Sequence, residues 1–325
     1  MLAPALSHAD PIQQRRGFGV THERVLAVLL AAEVLLFCLI GHEFATGKNA
    51  LNIIGLGVEI GLLALALTPV IVAGGIDLSV GSLLGLSAIL FGKMWRDGGL
   101  PIGVAAALSL GVGALGGGLN ALLITRLRIP ALIVTLGSMS LFRGLAEAIA
   151  RGVDNFTVPE HFQRILGEAT AQVPVLAAAA AVAWLFLHRT AAGRSLYAIG
   201  FSPEGARHAG IPVERRVAWV YVVSGVASSL AAVMYVAHWS QAKADAGMGY
   251  ELAAITAVVL GGTSIFGGRG TVHGTLLGLF AIVVLQNGLI LADLPKELAG
   301  LLTGGLLLAS IAVNQILSKL AKKGA

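Results

Sequence analysis

The residues that could do chemistry are few, and their spacing fits none of the familiar catalytic arrangements. His22-Glu23 and His42-Glu43 each lack a second histidine four residues after the first, so neither forms a zinc-binding helix. Gly47-Lys48 is followed by Asn49 and lacks the upstream glycine of a P-loop, which excludes that mode of nucleotide binding. Ser264, in the run Gly262-Thr263-Ser264-Ile265-Phe266, lacks the closing glycine of a nucleophile elbow. Cys38 is the single cysteine, so there is neither a disulfide nor a cysteine cluster for a metal. Gly111, Gly113 and Gly116 match GxGxxG, but they lie mid-span with no strand before them. There, like Gly113 with Gly117 and Gly81 with Gly85, they read as small residues that let helices approach.

Charge inside the apolar stretches is equally sparse. Glu33 and Glu59 fall within them, and Arg143 and Glu147, four residues apart, are expected to pair along one helix face near an interface. No chain of buried acids or histidines emerges to relay protons. Uncharged polar groups are the better candidates for a solute path: Asn52, Ser79, Ser82, Asn120, Thr135, Ser138, Gln286 and Asn287 could offer hydrogen bonds to a neutral hydroxylated solute. Each, taken alone, also reads as a contact between helices.

These residues sit in a chain built for a bilayer. Of its 325 residues, 56% are hydrophobic and 12% charged, against about 25% charged in a soluble domain. Mean hydropathy is +0.85. Apolar stretches of about 17 to 25 residues, enough to cross the hydrocarbon, recur from residue 25 to residue 317. The expected fold is therefore all-α: one polytopic unit of about ten transmembrane helices, at 25–42, 51–73, 80–96, 100–125, 130–150, 172–188, 216–238, 251–267, 271–292 and 297–316. Residues 1–24 and 318–325 are tails. The stretch 25–40 reads as a retained first helix, because Gly41-His42-Glu43 offers no small-x-small cleavage site.

Ten spans put both ends on one side, and positive charge says which. With the ends inside, Arg15, Arg16, Arg24, Arg126, Arg128, Arg189, Arg194, Arg207, Arg215, Arg216, Arg269, Lys319, Lys322 and Lys323 are cytoplasmic. Only Lys48, Lys93, Arg96, Arg143, Arg151, Arg164, Lys243 and Lys296 are outside, in acidic company such as Asp97, Asp154 and Asp245. That is the positive-inside bias. The pI of about 9.6 follows from these scattered loop charges, and no basic face suited to nucleic acid forms. Two connections stand apart: 74–79 is very short for a turn, and 153–172 is long enough for a small surface helix. Two glycine-interrupted runs, 73–89 and 260–282, look alike. Internal duplication and chance both account for that, and either way such backbone belongs in the protein interior.

One long polar passage separates two apolar stretches, HRTAAGRSLYAIGFSPEGARHAGIPVERR at 188–216, and the topology makes it cytoplasmic. Within it Ser202 can cap a short helix, Pro203 suits the first helical position, Glu204 complements the positive end, and Gly210 can take the left-handed conformation past the C-terminus. Arg207 and His208 fall in its last turn. A helix over 203–209 is too short to be stable alone in water, so it reads as something to be gripped.

Four blocks, GGIDLSVGSLLGL (74–86), GALGGGLNALLITRLRIPALIVTLGSMSLFRG (113–144), GRSLYAIGFSPEGARHAGI (193–211) and AITAVVLGGTSIFGGRGTVHGTLLG (254–278), strongly resemble the permease subunits of ribose-type ATP-binding-cassette (ABC) importers. That family carries ribose, xylose, arabinose, galactose, rhamnose and the sugar-like signal autoinducer-2. The resemblance implies a bacterial inner-membrane protein with both termini cytoplasmic, paired with a second permease, identical or homologous. It also implies cytoplasmic ABC ATPases, which use ATP and magnesium while this chain binds no cofactor and is not an enzyme, and a periplasmic solute-binding protein. The family's ATPase-coupling segment falls within 189–216, on Ser202, Pro203, Glu204, Gly205, Ala206, Arg207, His208, Ala209 and Gly210. Ser202 stands where Asn is common, which keeps the capping ability, and Ala209 where Ser is common, which removes a hydroxyl. Nucleoside or branched-chain amino acid import by a similar permease is the alternative, with a secondary sugar transporter behind it.

Overall fold

The computed structural model describes residues 22–150, 158–295, 298, 300–306 and 308. Among these the chain is helical, with no strand. The principal helices are α1 (His22–Ile40), α2 (Gly47–Leu56), α3 (Val58–Val72), α4 (Val80–Arg96), α5 (Ile102–Thr125) and α6 (Ala131–Ile149). They continue with α7 (Ala169–Arg189), α8 (Ala191–Phe201), α9 (Pro203–His208), α10 (Val213–Trp239), α11 (Tyr250–Leu260) and α12 (Val272–Leu291).

Among the described residues α5, α6, α7, α10 and α12 are long and apolar enough to cross a membrane, and α2 with α3, bent by 48°, makes a sixth if the pair is one span. The expected ten is thus approximate. The span placed at 51–73 begins earlier, at Gly47, and breaks at Gly57. The helix at 80–96 is found as α4, with 17 residues, and α1 carries Glu23, Arg24 and Glu33. The span placed at 251–267 is corrected. Its helix stops at Leu260 after 11 residues, because Gly261 ends it and Gly262 has φ +89°, a conformation that terminates a right-handed helix. Residues 300–306 of the last expected span are helical; most of that span and both tails lie outside the described residues, as do 151–157. Helical turns at Glu160–Phe162 and Gln163–Gly167 occupy the long connection, as expected.

α10 is the central element, packing on α3, α4 and α5. It meets α5 through glycines: a side chain at Gly113 would collide with the backbone of Gly225 and the hydroxyl of Ser229, and one at Gly117 with the carbonyl of Tyr221. The small-residue reading of this stretch therefore holds for Gly113 and Gly117, whereas Gly111 faces open space. Gly81 and Gly85 do something else. They receive the backbone of the irregular segment 240–249, whose Ala244, Ala246 and Gly247 carbonyls lie against them. Ser87 of α4 is hydrogen-bonded to Ser229, midway along α10, so 240–249 descends from the end of α10 to the middle of the bundle. From there α11 runs back as a half-length helix and pairs with α12, Gly261 against Gly274 and Ala257 against Gly278.

The two similar glycine-rich runs thus have different shapes. Residues 261–271 turn tightly between packed antiparallel helices, whereas 73–79 form a non-helical link between α3 and α4 in which Asp77 and Ser79 are buried. They meet all the same: Gly74 (φ +85°) and Gly267 (φ +83°) approach through their Cα positions, with Gly200 alongside.

Candidate functional site

Two assemblies of polar residues stand out, one at an end of the bundle and one inside it. The first is α9. Ser202 is extended (φ −157°, ψ 102°), and its hydroxyl accepts from the Gly205 amide at 3.0 Å. Pro203 occupies the first helical position and Glu204 the first turn. At the other end Ala209 caps, Gly210 takes φ +77°, and the Ile211 amide returns to the Ala206 carbonyl at 3.0 Å. Both ends are closed by the residues the sequence marks for it, and the helix runs to His208, one residue short of expectation. Ala206 is buried against the bundle, while Pro203, Glu204, Gly205, Arg207, His208, Ala209 and Gly210 are exposed. Arg207 Nη2 meets Glu214 Oε1 at 2.9 Å, tying α9 to the first turn of α10. Phe201, just before the cap, is 88% exposed.

α9 is also tied to the interior through α8. Gly200, next to last in α8, has no room for a Cβ: the Val72 carbonyl at the end of α3 and the Gly268 amide occupy that space. The Gly268 amide donates to the Val72 carbonyl at 2.9 Å, and Tyr197 of α8 donates to the Gly270 carbonyl at 2.9 Å. A displacement of α8 therefore reaches both glycine-rich breaks directly.

The second assembly centres on Asp77, buried in the 73–79 break. Its Oδ1 accepts from the Ser79 amide (3.0 Å) and hydroxyl (2.6 Å), and its Oδ2 from the Ser224 hydroxyl of α10 (2.9 Å). Asn120 of α5 donates to the Ser79 hydroxyl at 2.8 Å and accepts from Ser138 of α6. Thr135 donates to the Ile76 carbonyl at 3.2 Å, and Ser82 to the Ser79 carbonyl at 2.9 Å. Of the residues picked out by sequence, Ser79, Ser82, Asn120, Thr135 and Ser138 are thus brought together and buried, their hydrogen bonds met by one another, by Asp77 and by the Ile76 carbonyl. Asn287 is elsewhere, exchanging two 3.0 Å hydrogen bonds with Asn49, while Asn52 is exposed and Gln286 half-buried, apart from the cluster. Sequence reasoning missed Asp77 and Ser224. Asp77 was hidden because it fell in the connection at 74–79 rather than in a span, although an acid between membrane helices is itself a signal.

Arg143 also departs from expectation. It does not pair with Glu147, which is exposed; its guanidinium donates to the carbonyls of Ala244 and Ala246, at 3.1 Å for the latter. Backbone that has left helical geometry offers free carbonyls, and these outcompete an exposed carboxylate for a half-buried cation.

The bundle, its broken spans and its capped end-helix are those of a membrane permease, and comparison with known proteins places the chain in a family. The family model described as branched-chain amino acid transport system / permease component matches residues 49–311, and the chain belongs to that family. It is 37% identical over 319 residues to the autoinducer 2 import system permease protein LsrD of Photorhabdus luminescens, covering 94% of this chain and 93% of that protein. With the protein of the same name from Escherichia coli K12 it shares 37% identity over 299 residues, 89% and 90% of the two chains. No solved structure matches. The similarity to ribose-type permeases is upheld, and the chain is a transport subunit rather than an enzyme.

Proposed function

We propose that this chain is a membrane-spanning subunit of an ATP-driven importer that carries autoinducer-2 or a monosaccharide of similar size into the cytoplasm. The observation that carries the coupling role is α9, a six-residue helix capped at both ends, exposed on the face that Pro203, Glu204 and His208 share and anchored behind by Ala206. A helix too short to persist alone is held in one geometry by its two neighbours, which is what a partner needs in order to push on it. The identity with autoinducer 2 import permeases over nearly the whole chain supports the solute class.

In this reading the end of the bundle carrying α9 and Arg269 is cytoplasmic, and both termini lie there. ATP binding closes a pair of ATPases, each gripping one α9. The movement passes through α8, by way of Gly200, to the end of α3 and the 261–271 turn, and through Arg207–Glu214 to α10. Solute arrives from a periplasmic binding protein and crosses a path shared with a second permease.

Affinity purification of the tagged permease from its native membrane tests the assignment. The expected result is recovery of an ATPase, a permease pair and a binding protein that takes autoinducer-2 or a pentose such as D-ribose. A binding protein selective for L-leucine would overturn the solute class, and purification with no ATPase would overturn the ATP-driven role.

A further inference from the structure

Glu59 is an acid in the first turn of α3, 2% exposed, and its Oε1 has no hydrogen-bond partner. A polar oxygen buried without a partner in a membrane bundle costs free energy, so its retention calls for an occupant or a role. Its surroundings point to an occupant. The Trp239 indole at the end of α10 lies against the carboxylate, and Tyr235 and Tyr250 are within electrostatic reach of it. Gln241 donates to the Tyr235 hydroxyl at 3.1 Å. Trp239 is 45% exposed, and Gln241 and Tyr250 are half-buried, so the cluster opens toward the end of the bundle away from α9.

The backbone supplies an independent argument. Trp239, Gln241 and Tyr250 flank or belong to the segment 240–249, where Ser240, Gly247 and Gly249 have positive φ. Irregular backbone descending to the middle of a membrane bundle is tolerated where it is buried in protein or lines a wet cavity, and a half-length helix such as α11 starting from it is the usual construction of a solute site. Trp239, which leads into that segment, lies against the Glu59 carboxylate.

We propose that Glu59, Tyr235, Trp239, Gln241 and Tyr250 form the entry site for the transported solute, a small neutral polyhydroxylated molecule. The carboxylate and carboxamide take hydroxyl groups, and the Trp239 and Tyr250 rings pack on the solute's C–H face. Neutral polyols carry donors for Glu59 and an apolar face for the rings. A zwitterionic amino acid would instead bring its own carboxylate against Glu59, where no cation among these five residues offsets it.

The site rests on the importer reading, and the test separates the two. The complete importer is reconstituted with its ATPase and a saturating concentration of binding protein, and uptake of autoinducer-2 and D-ribose is measured per assembled complex. Failure of the unmodified complex to take up either probe sinks the importer reading itself. Given uptake, Glu59→Gln is expected to lower turnover about tenfold or more, and Trp239→Ala, which removes a packing ring, by a smaller factor, with ATPase recovery unchanged. Turnover in Glu59→Gln within about twofold of the unmodified complex overturns the site. So does a loss proportional to the loss of assembled complex, which marks a structural acid, and so does uptake that needs sodium and loses that need on Glu59→Gln, which marks a cation site.

Discussion

The Ser224 hydroxyl of α10 reaches across to the Asp77 carboxylate at 2.9 Å, joining the central helix to the non-helical link between α3 and α4. That stretch cannot satisfy itself as a helix would, and Asp77 substitutes for the missing ladder by accepting from Ser79 and Ser224 together. Asp77→Ala leaves the Ser79 amide, the Ser79 hydroxyl and the Ser224 hydroxyl without this acceptor. The expected cost is on the order of 3 kcal/mol, with Asp77→Asn intermediate. Thermal aggregation of the detergent-purified permease, followed by size exclusion, should show a lower midpoint for Asp77→Ala; an unchanged midpoint contradicts the assignment of this network as structural.

Gly200→Ala introduces a methyl group where the Val72 carbonyl and the Gly268 amide already sit. Backbone cannot move aside as a flexible side chain does, so about 1 to 3 kcal/mol of strain is expected, released by separating α8 from the 261–271 turn. ATP hydrolysis by the assembled complex should then continue while uptake per ATP falls. Uptake and hydrolysis falling in step would show that Gly200 does not carry the coupling.

Ser202→Ala removes the hydroxyl that holds the Gly205 amide, at a cost of about 1 kcal/mol to a helix that is marginal already. Recovery of the ATPase with the tagged permease should drop, while expression and thermal stability stay as they were. Arg207→Glu sets two carboxylates against each other beside Glu214, and its effect should likewise fall on ATPase recovery, since exposed ion pairs contribute at most about 1 kcal/mol to folding.

Arg143→Met frees the Ala244 and Ala246 carbonyls and loosens segment 240–249. Asp245 is exposed, so a maleimide reporter can be placed there by Asp245→Cys in a Cys38→Ser background. Labelling should be faster with Arg143→Met than without it, and equal rates would mean that Arg143 does not hold the segment.

Much of this was legible from residue types alone. Ser202, Pro203, Glu204 and Gly210 announced α9 because capping is local chemistry, settled within a few residues of chain. Ser79, Asn120 and Ser138 were recognisable as polar groups needing partners, yet the sequence did not say that the partners were one another, since that depends on how α4, α5 and α6 pack. The break at Gly57 and the half-length α11 were not legible, because hydropathy runs on through both while glycine conformation decides where the helix stops. Arg143 misled for the same reason: a helix-periodic partner, Glu147, was visible in the sequence, and the free carbonyls at 244 and 246 were not.

The central claim is that α9 transmits the work of an ATPase to this permease. Gly205→Pro deletes the amide that the Ser202 hydroxyl holds and leaves the transmembrane helices untouched. ATP-dependent uptake of autoinducer-2 and D-ribose by the reconstituted importer measures the consequence. The account predicts that uptake is abolished in Gly205→Pro while the permease remains folded and in the membrane; normal uptake by that variant would contradict it.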